Sequence, residues 1–171
     1  MHTHDEQLTC ASQLIEHARL RGLHIACAES CTAGMLSSTI AAVSGASDVL
    51  LGGIVSYAVS VKRDVLGVSQ ETLNNYGVYS FQCAEEMAQG VRALLKAEVG
   101  VGITGVAGPG PSEEGISAGH VWIAVEAQTS CRHPLKRHYL FEGTRDDVRK
   151  QATLAALELL DEAIVNMQND T

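Results

Sequence analysis

A chain of 171 residues with 12 basic and 20 acidic side chains, a net charge of −8 and 46% apolar residues is of single-domain length, and it can bury about 70% of its unfolded surface without disulfides or metals. The acidic balance opposes non-specific association with nucleic acid or an anionic membrane, and the five cysteines, odd in number and without a C-x-x-C pair, indicate neither a disulfide framework nor a zinc site. Met1 to Gln7 contain no apolar signal-peptide core and no window approaches about eighteen continuous apolar residues, so a cytoplasmic protein is expected.

In chain order, Leu8, Ala11, Leu14, Ile15 and Ala18 share one face of a helix predicted from about Asp5 to Arg21, which Gly22 ends. Leu23 to Ala28 is an apolar run of strand length. It passes through Glu29-Ser30-Cys31-Thr32-Ala33-Gly34 into a helix marked by Met35, Leu36, Ile40 and Val43, with Ser30 or Thr32 as its N-cap. A strand, a tight turn and a helix start leave backbone N–H groups free for a phosphate or a carboxylate. The same pattern also describes an ordinary capped helix, and both readings stand at this point.

Ser44 to Asp48 is a turn of small residues, followed by Val49 to Val59, an apolar run that predicts a buried strand. Its paired glycines, Gly52 and Gly53, mark a bulge or a close approach of another backbone or a ligand. Ser60 to Gly67 reads as a short helical turn, and Lys62, five positions after Tyr57, is expected to face the same cleft. Ser69 caps a short helix ending near Gly77, and Ser80 caps a longer one whose apolar stripe runs from Ala84 to Leu95. Glu98 to Thr104 alternates into a strand and leads directly into Gly105-Val106-Ala107-Gly108-Pro109-Gly110-Pro111, a loop whose glycines let backbone come close to a ligand. Its spacing matches neither G-x-G-x-x-G nor the P-loop pattern.

After a polar loop from Ser112 to Gly119, His120 to Glu126 and Lys136 to Phe141 read as a strand hairpin joined across Ala127 to Leu135. A helix from about Asp146 to Met167 closes the chain, with Arg145 and Arg149 at its start. Cations there oppose the helix dipole, so they either anchor an anion or are solvated and paired with Asp146 and Asp147. Helices between strands, with one hairpin, predict a single α/β domain with a core of about residues 7–165, built as a three-layer α/β/α sandwich around a mixed, largely parallel sheet. The loops after the strands ending near Ala28, Val59 and Thr104 are expected to converge on one crevice.

The run from Ala28 to Gly34, then Gly45-Ala46-Ser47, Gly52 to Tyr57 with Lys62, Leu66-Gly67-Val68, Gly77 to Ser80, Glu86 to Gly90, Thr104 to Pro109 and Arg145 to Arg149 resembles the CinA carboxyl-terminal domain family, whose stand-alone members include nicotinamide mononucleotide deamidases. The resemblance covers roughly residues 7–165. It implies hydrolysis of the carboxamide of that nucleotide to nicotinate mononucleotide and ammonia, by a protein that self-associates and has a small nucleotide as its partner; no metal-ligand cluster is visible in the sequence, and neither metal nor cofactor is expected.

Amide hydrolysis needs a nucleophile, a proton shuttle and donors for the developing oxyanion. Of the seven histidines only His120 borders a candidate loop, at a position where the family commonly has threonine, so a lysine is the remaining base. Lys62 matches the family's lysine, and it must lose about 3 pKa units to act at neutral pH. Ser47 is favoured as nucleophile over Ser30, because N–H groups of the tight Gly45-Ala46-Ser47 turn suit an oxyanion hole while Ser30 doubles as a helix cap. Tyr57 is expected to relay a proton or orient the amide, and Thr104 to bind it. Ser30, Thr32, Gly34, Gly105, Gly108 and Arg145 are expected to hold ribose and phosphate. Two departures stand out: Ile116-Ser117-Ala118-Gly119 replaces the family's Lys-Pro-Val-Gly, and Tyr57-Ala58-Val59 replaces Tyr-Ser-Asn. They favour the competing reading, a non-catalytic nucleotide-binding or interaction module that keeps the fold, whereas the retained Ser47, Tyr57, Lys62 and Thr104 favour the enzyme.

Overall fold

The structure, a computed structural model, describes residues 4–127 and 134–167. The chain runs α1 (His4–Leu20), β1 (Ile25–Glu29), α2 (Met35–Ala41), a 3-10 turn (Ala46–Asp48), β2 (Leu50–Val55), α3 (Val59–Asp64), α4 (Gln70–Tyr76), α5 (Phe81–Leu95), β3 (Val99–Gly105), β4 (His120–Ala127), β5 (Leu135–Leu140) and α6 (Arg145–Asn166). The strands form one five-stranded sheet in the order β2-β1-β3-β4-β5. Pairings of β1 with β2 and β3 are parallel, and those of β4 with β3 and β5 are antiparallel, so β4 alone runs against the rest. This is the mixed, largely parallel α/β sheet expected; the hairpin connection itself, residues 128–133, lies outside the described residues.

Strand alternation separates two cores. Ile25 and Cys27 of β1 join Val99, Val101 and Ile103 of β3 and the apolar faces of α1, α2 and α6 in the larger one. Ala26 and Ala28 face the other way, into a smaller cluster with Met87 and Val91 of α5. On that side β3 offers glycines, and a Cβ on Gly100 or Gly102 would come 2.2 Å from the carbonyl oxygens of Ala88 or Ala84. Glycine there lets α5 lie directly on the sheet.

The expectation of a buried strand over Val49 to Val59 is corrected. β2 covers only Leu50–Val55, and its residues alternate between half-buried and exposed because β1 is its one neighbour. Leu51 and Val55 are 43% and 49% exposed; an unbroken apolar run cannot by itself distinguish a central strand from an edge strand. The bulge foreseen for its glycines occurs, whereas the close approach is made by a side chain of α2 and not by backbone or a ligand. The β1–β2 register slips between Ile25 and Ala26, so Gly52 follows a bulge, and a Cβ on Gly53 would lie 2.2 Å from Ser37 Oγ of α2.

Candidate active site

The cleft opens at the carboxyl ends of β1, β2 and β3. It is lined by Ser30 and Cys31 after β1, Tyr57, Val59 and Lys62 after β2, Val78 and Tyr79 before α5, the loop Gly105 to Pro111 after β3, and Arg145 at the start of α6, around a volume of about 250 Å³. The three loops therefore do converge, as a parallel sheet with helical crossovers directs them to.

At its floor, Lys62 Nζ donates to Ser30 Oγ at 2.9 Å and to the carbonyl oxygen of Ser56 at 2.6 Å. Lys62 reaches them because α3 starts within a few residues of the end of β2 and turns its side chain back beneath the sheet edge, where it is 2% exposed. Burial pushes its pKa below the usual lysine value, against a smaller opposing effect of the Cys83 and Cys31 thiols. Its two bonded partners are neutral oxygens, and among the described residues no carboxylate is bonded to it. The thiols are not competing nucleophiles, because burial pushes Cys31 and Cys83 up to about 11.

The structure separates Ser47 from this pair. Ser47 is exposed in the 3-10 turn at the amino end of β2, whereas Lys62 follows its carboxyl end. A six-residue strand lies between them, roughly 20 Å at 3.3 Å per residue. Gly45 and Ala46 stay with Ser47: Gly45 borders Ile15 and Arg19 of α1, and Ala46 belongs to the larger core. The order of small residues along the chain hides which end of the strand a turn occupies, and that concealment produced the expectation of a Ser47–Lys62 dyad.

The turn after β1 also differs. Neither Ser30 nor Thr32 caps α2; its N-cap is Gly34, with φ 95° and no side-chain bond. The cap is supplied by Glu29, 1% exposed. Its carboxylate accepts the N–H groups of Gly34 (2.9 Å), Leu36 (3.1 Å) and Ser37 (2.9 Å) and the Ser37 hydroxyl (2.6 Å). An internal carboxylate thus occupies the place where a substrate phosphate was expected. Thr32 is fully buried, its hydroxyl has no hydrogen-bond partner among the described residues, and its carbonyl accepts Arg149 at 3.0 Å.

Thr104 is buried and donates to the Val78 carbonyl at 2.8 Å, so it fastens the Val78–Tyr79 wall and does not line the cleft. Gly105 and Gly108 do line it. Arg145 lies across the mouth, donating to the Gly108 carbonyl at 2.5 Å and to the Tyr57 hydroxyl at 2.8 Å. Tyr57 is 60% exposed there. Neither arginine pairs with Asp146 or Asp147: Asp146 takes Lys150, and Asp147 closes a capping box with Thr144. Arg149 instead ties the Cys31 and Thr32 carbonyls to α6. Glu29 and Tyr79 were missed as functional candidates. Tyr79 had a signal in Gly77-Val78-Tyr79-Ser80, and Glu29 had its place directly before Ser30. Among the described residues no group of three or more His, Cys, Asp or Glu side chains is placed to hold a metal.

The sequence profile of the CinA C-terminal domain matches residues 7–164. The chain belongs to the CinA C-terminal domain family. A CinA-like protein of Thermotoga neapolitana is 43% identical over 136 residues, which are 80% of this chain and 32% of that protein. A putative competence-damage inducible protein of Bacillus subtilis is 39% identical over 140 residues, 82% of this chain and 33% of that protein. This CinA domain thus spans about a third of the length of the curated relatives it matches. Solved structures agree over their whole length: a CinA superfamily protein from Klebsiella pneumoniae has a TM-score of 0.88 at 29% identity, covering 94% of this chain and 98% of that one. The competence/damage inducible protein CihA of Agrobacterium tumefaciens has a TM-score of 0.87 at 33% identity, covering 94% and 96%.

Proposed function

We propose that this CinA domain is an amidohydrolase that deamidates nicotinamide mononucleotide, with Ser30 as nucleophile and Lys62 as its base. The observation that carries the reading is the 2.9 Å contact between Lys62 Nζ and Ser30 Oγ, with the lysine buried and its pKa lowered. In its neutral form Lys62 takes the hydroxyl proton as Ser30 Oγ bonds to the amide carbon, then gives that proton to the departing nitrogen, which leaves as ammonia. Water, deprotonated by the same amine, cleaves the acyl-serine and returns Ser30. The N–H of Cys31, the residue that directly follows the nucleophile, is the candidate oxyanion donor by analogy with serine hydrolases. The phenol rings of Tyr57 and Tyr79 suit a cationic pyridinium face, and Arg145 supplies a bidentate donor for the 5′-phosphate. Among the described residues no acidic side chain lines the cleft to oppose that anion.

Ammonia release from nicotinamide mononucleotide by the purified protein tests the reading. Turnover that Ser30→Ala abolishes and a chelator leaves unchanged is the expected result. Binding of the nucleotide by calorimetry with no ammonia released would replace it by a nucleotide-binding module. Self-association, implied by the family resemblance, belongs to the same reading and is checked by light scattering.

A further inference from the structure

Glu29 is the one acidic side chain among the described residues that is fully buried, and no cation is bonded to it. Its charge is met by three backbone N–H groups and a hydroxyl at the start of α2. Its backbone works in the opposite direction: the Glu29 carbonyl accepts the Ser56 N–H at 2.8 Å, and the Ser56 carbonyl in turn accepts Lys62 Nζ. One residue therefore stands between both members of the Ser30–Lys62 contact, with its side chain holding the turn that carries Ser30 and its main chain holding the segment that carries Lys62. β2 accommodates this arrangement, because only glycine at position 53 leaves room for the Ser37 hydroxyl that reaches the carboxylate.

We propose that Glu29 is the positioning residue of the site, an internal carboxylate that fixes the Ser30–Ala33 turn so that Ser30 Oγ stays against Lys62 Nζ. The proposal rests on the Ser30–Lys62 reading for its consequence in reactivity and on the hydrogen bonds alone for its effect on the turn. Carboxylate binding at these N–H groups also removes them from substrate recognition, which leaves phosphate to Arg145.

The test uses a fluorophosphonate that modifies activated serines, with Ser30 modification followed by mass spectrometry and the order of the turn by amide exchange at Gly34, Leu36 and Ser37. In Glu29→Ala, Ser30 modification slows by about 100-fold, the cost of an ångström-scale misplacement. The three amides exchange faster, and formate, filling the space the carboxylate leaves, restores both in a saturable manner. Glu29→Gln fills that space but sets an amide donor against donors, so it is slowed as well and formate does not help it. Equal Ser30 reactivity in wild type and Glu29→Ala overturns the proposal, as does a loss that persists after formate has restored amide protection. If Glu29→Ala does not fold, Glu29→Gln decides: wild-type reactivity and exchange in that variant overturn the proposal. If wild-type Ser30 resists the reagent, the dyad reading fails, and unchanged exchange at the three amides in Glu29→Gln would overturn the positioning separately.

Discussion

Lys62 donates its proton-bearing nitrogen to two neutral oxygens in a buried position, and those surroundings set its titration. Burial lowers its pKa in the folded chain, whereas in the unfolded chain it returns to about 10.4. As a base it must be neutral, so kcat/KM should rise with pH through a folded-state pKa below that value; a profile that falls across that range would count against it. The unfolded chain binds the proton more tightly, so the lysine's burial costs most below the folded pKa, and that cost fades as pH rises toward the ordinary value. Lys62→Met should therefore flatten this part of the stability profile in urea titrations. It should also abolish ammonia release while leaving stability within about 1–2 kcal/mol of wild type, since two lost hydrogen bonds are offset by removal of a buried amine. Arg145 makes a different demand. Arg145→Ala removes charge-assisted donors worth about 1.5–3 kcal/mol, so KM should rise roughly 10- to 100-fold with kcat nearly constant. An equal fall in kcat would assign Arg145 to the chemical step.

At the scale of elements, the close contact of α5 with β3 depends on two missing side chains. A Cβ on Gly102 would stand 2.2 Å from the Ala84 carbonyl and 2.8 Å from the Ala88 amide nitrogen, both backbone atoms that cannot turn aside. Gly102→Ala should cost about 1–3 kcal/mol through overpacking, read as a lower urea midpoint at unchanged slope. Most of this layer was legible in the sequence. Helix stripes such as Ala84, Met87, Ala88 and Val91 declare their buried face by period, and Ser69 and Ser80 cap their helices as expected, whereas the Thr144 cap of α6 was not foreseen. β2 was misread because hydrophobicity records how apolar a strand is and not how many neighbours it has. The cap of α2 was misread for a related reason: small hydroxyl residues in a turn are the usual local signal, but here a strand residue, Glu29, reaches forward over the turn and does their work. Ser47 was a failure of direction, since a serine before β2 and a lysine after it are close in sequence and a strand's length apart in space.

On the scale of the whole molecule, the site is a product of topology. Ser30 follows the interior strand β1, Lys62 follows the edge strand β2, and Arg145 comes from the start of α6, three places that only the folded sheet brings together. The convergence of those loops could be anticipated from their position after parallel strands. Pairings within the cleft could not be anticipated, because 32 residues separate Ser30 from Lys62 and nothing local couples them. That span has its own consequence. One end of the Ser30–Lys62 contact is fastened in the interior, while the other hangs on β2, an edge strand with a single hydrogen-bonded neighbour and so less firmly held than β1 or β3. Activity should therefore disappear in denaturant before amide protection is lost in β3, which is buried along its whole length. The molecule would work as a fold with a weak hem, losing its chemistry at the border while its interior remains intact.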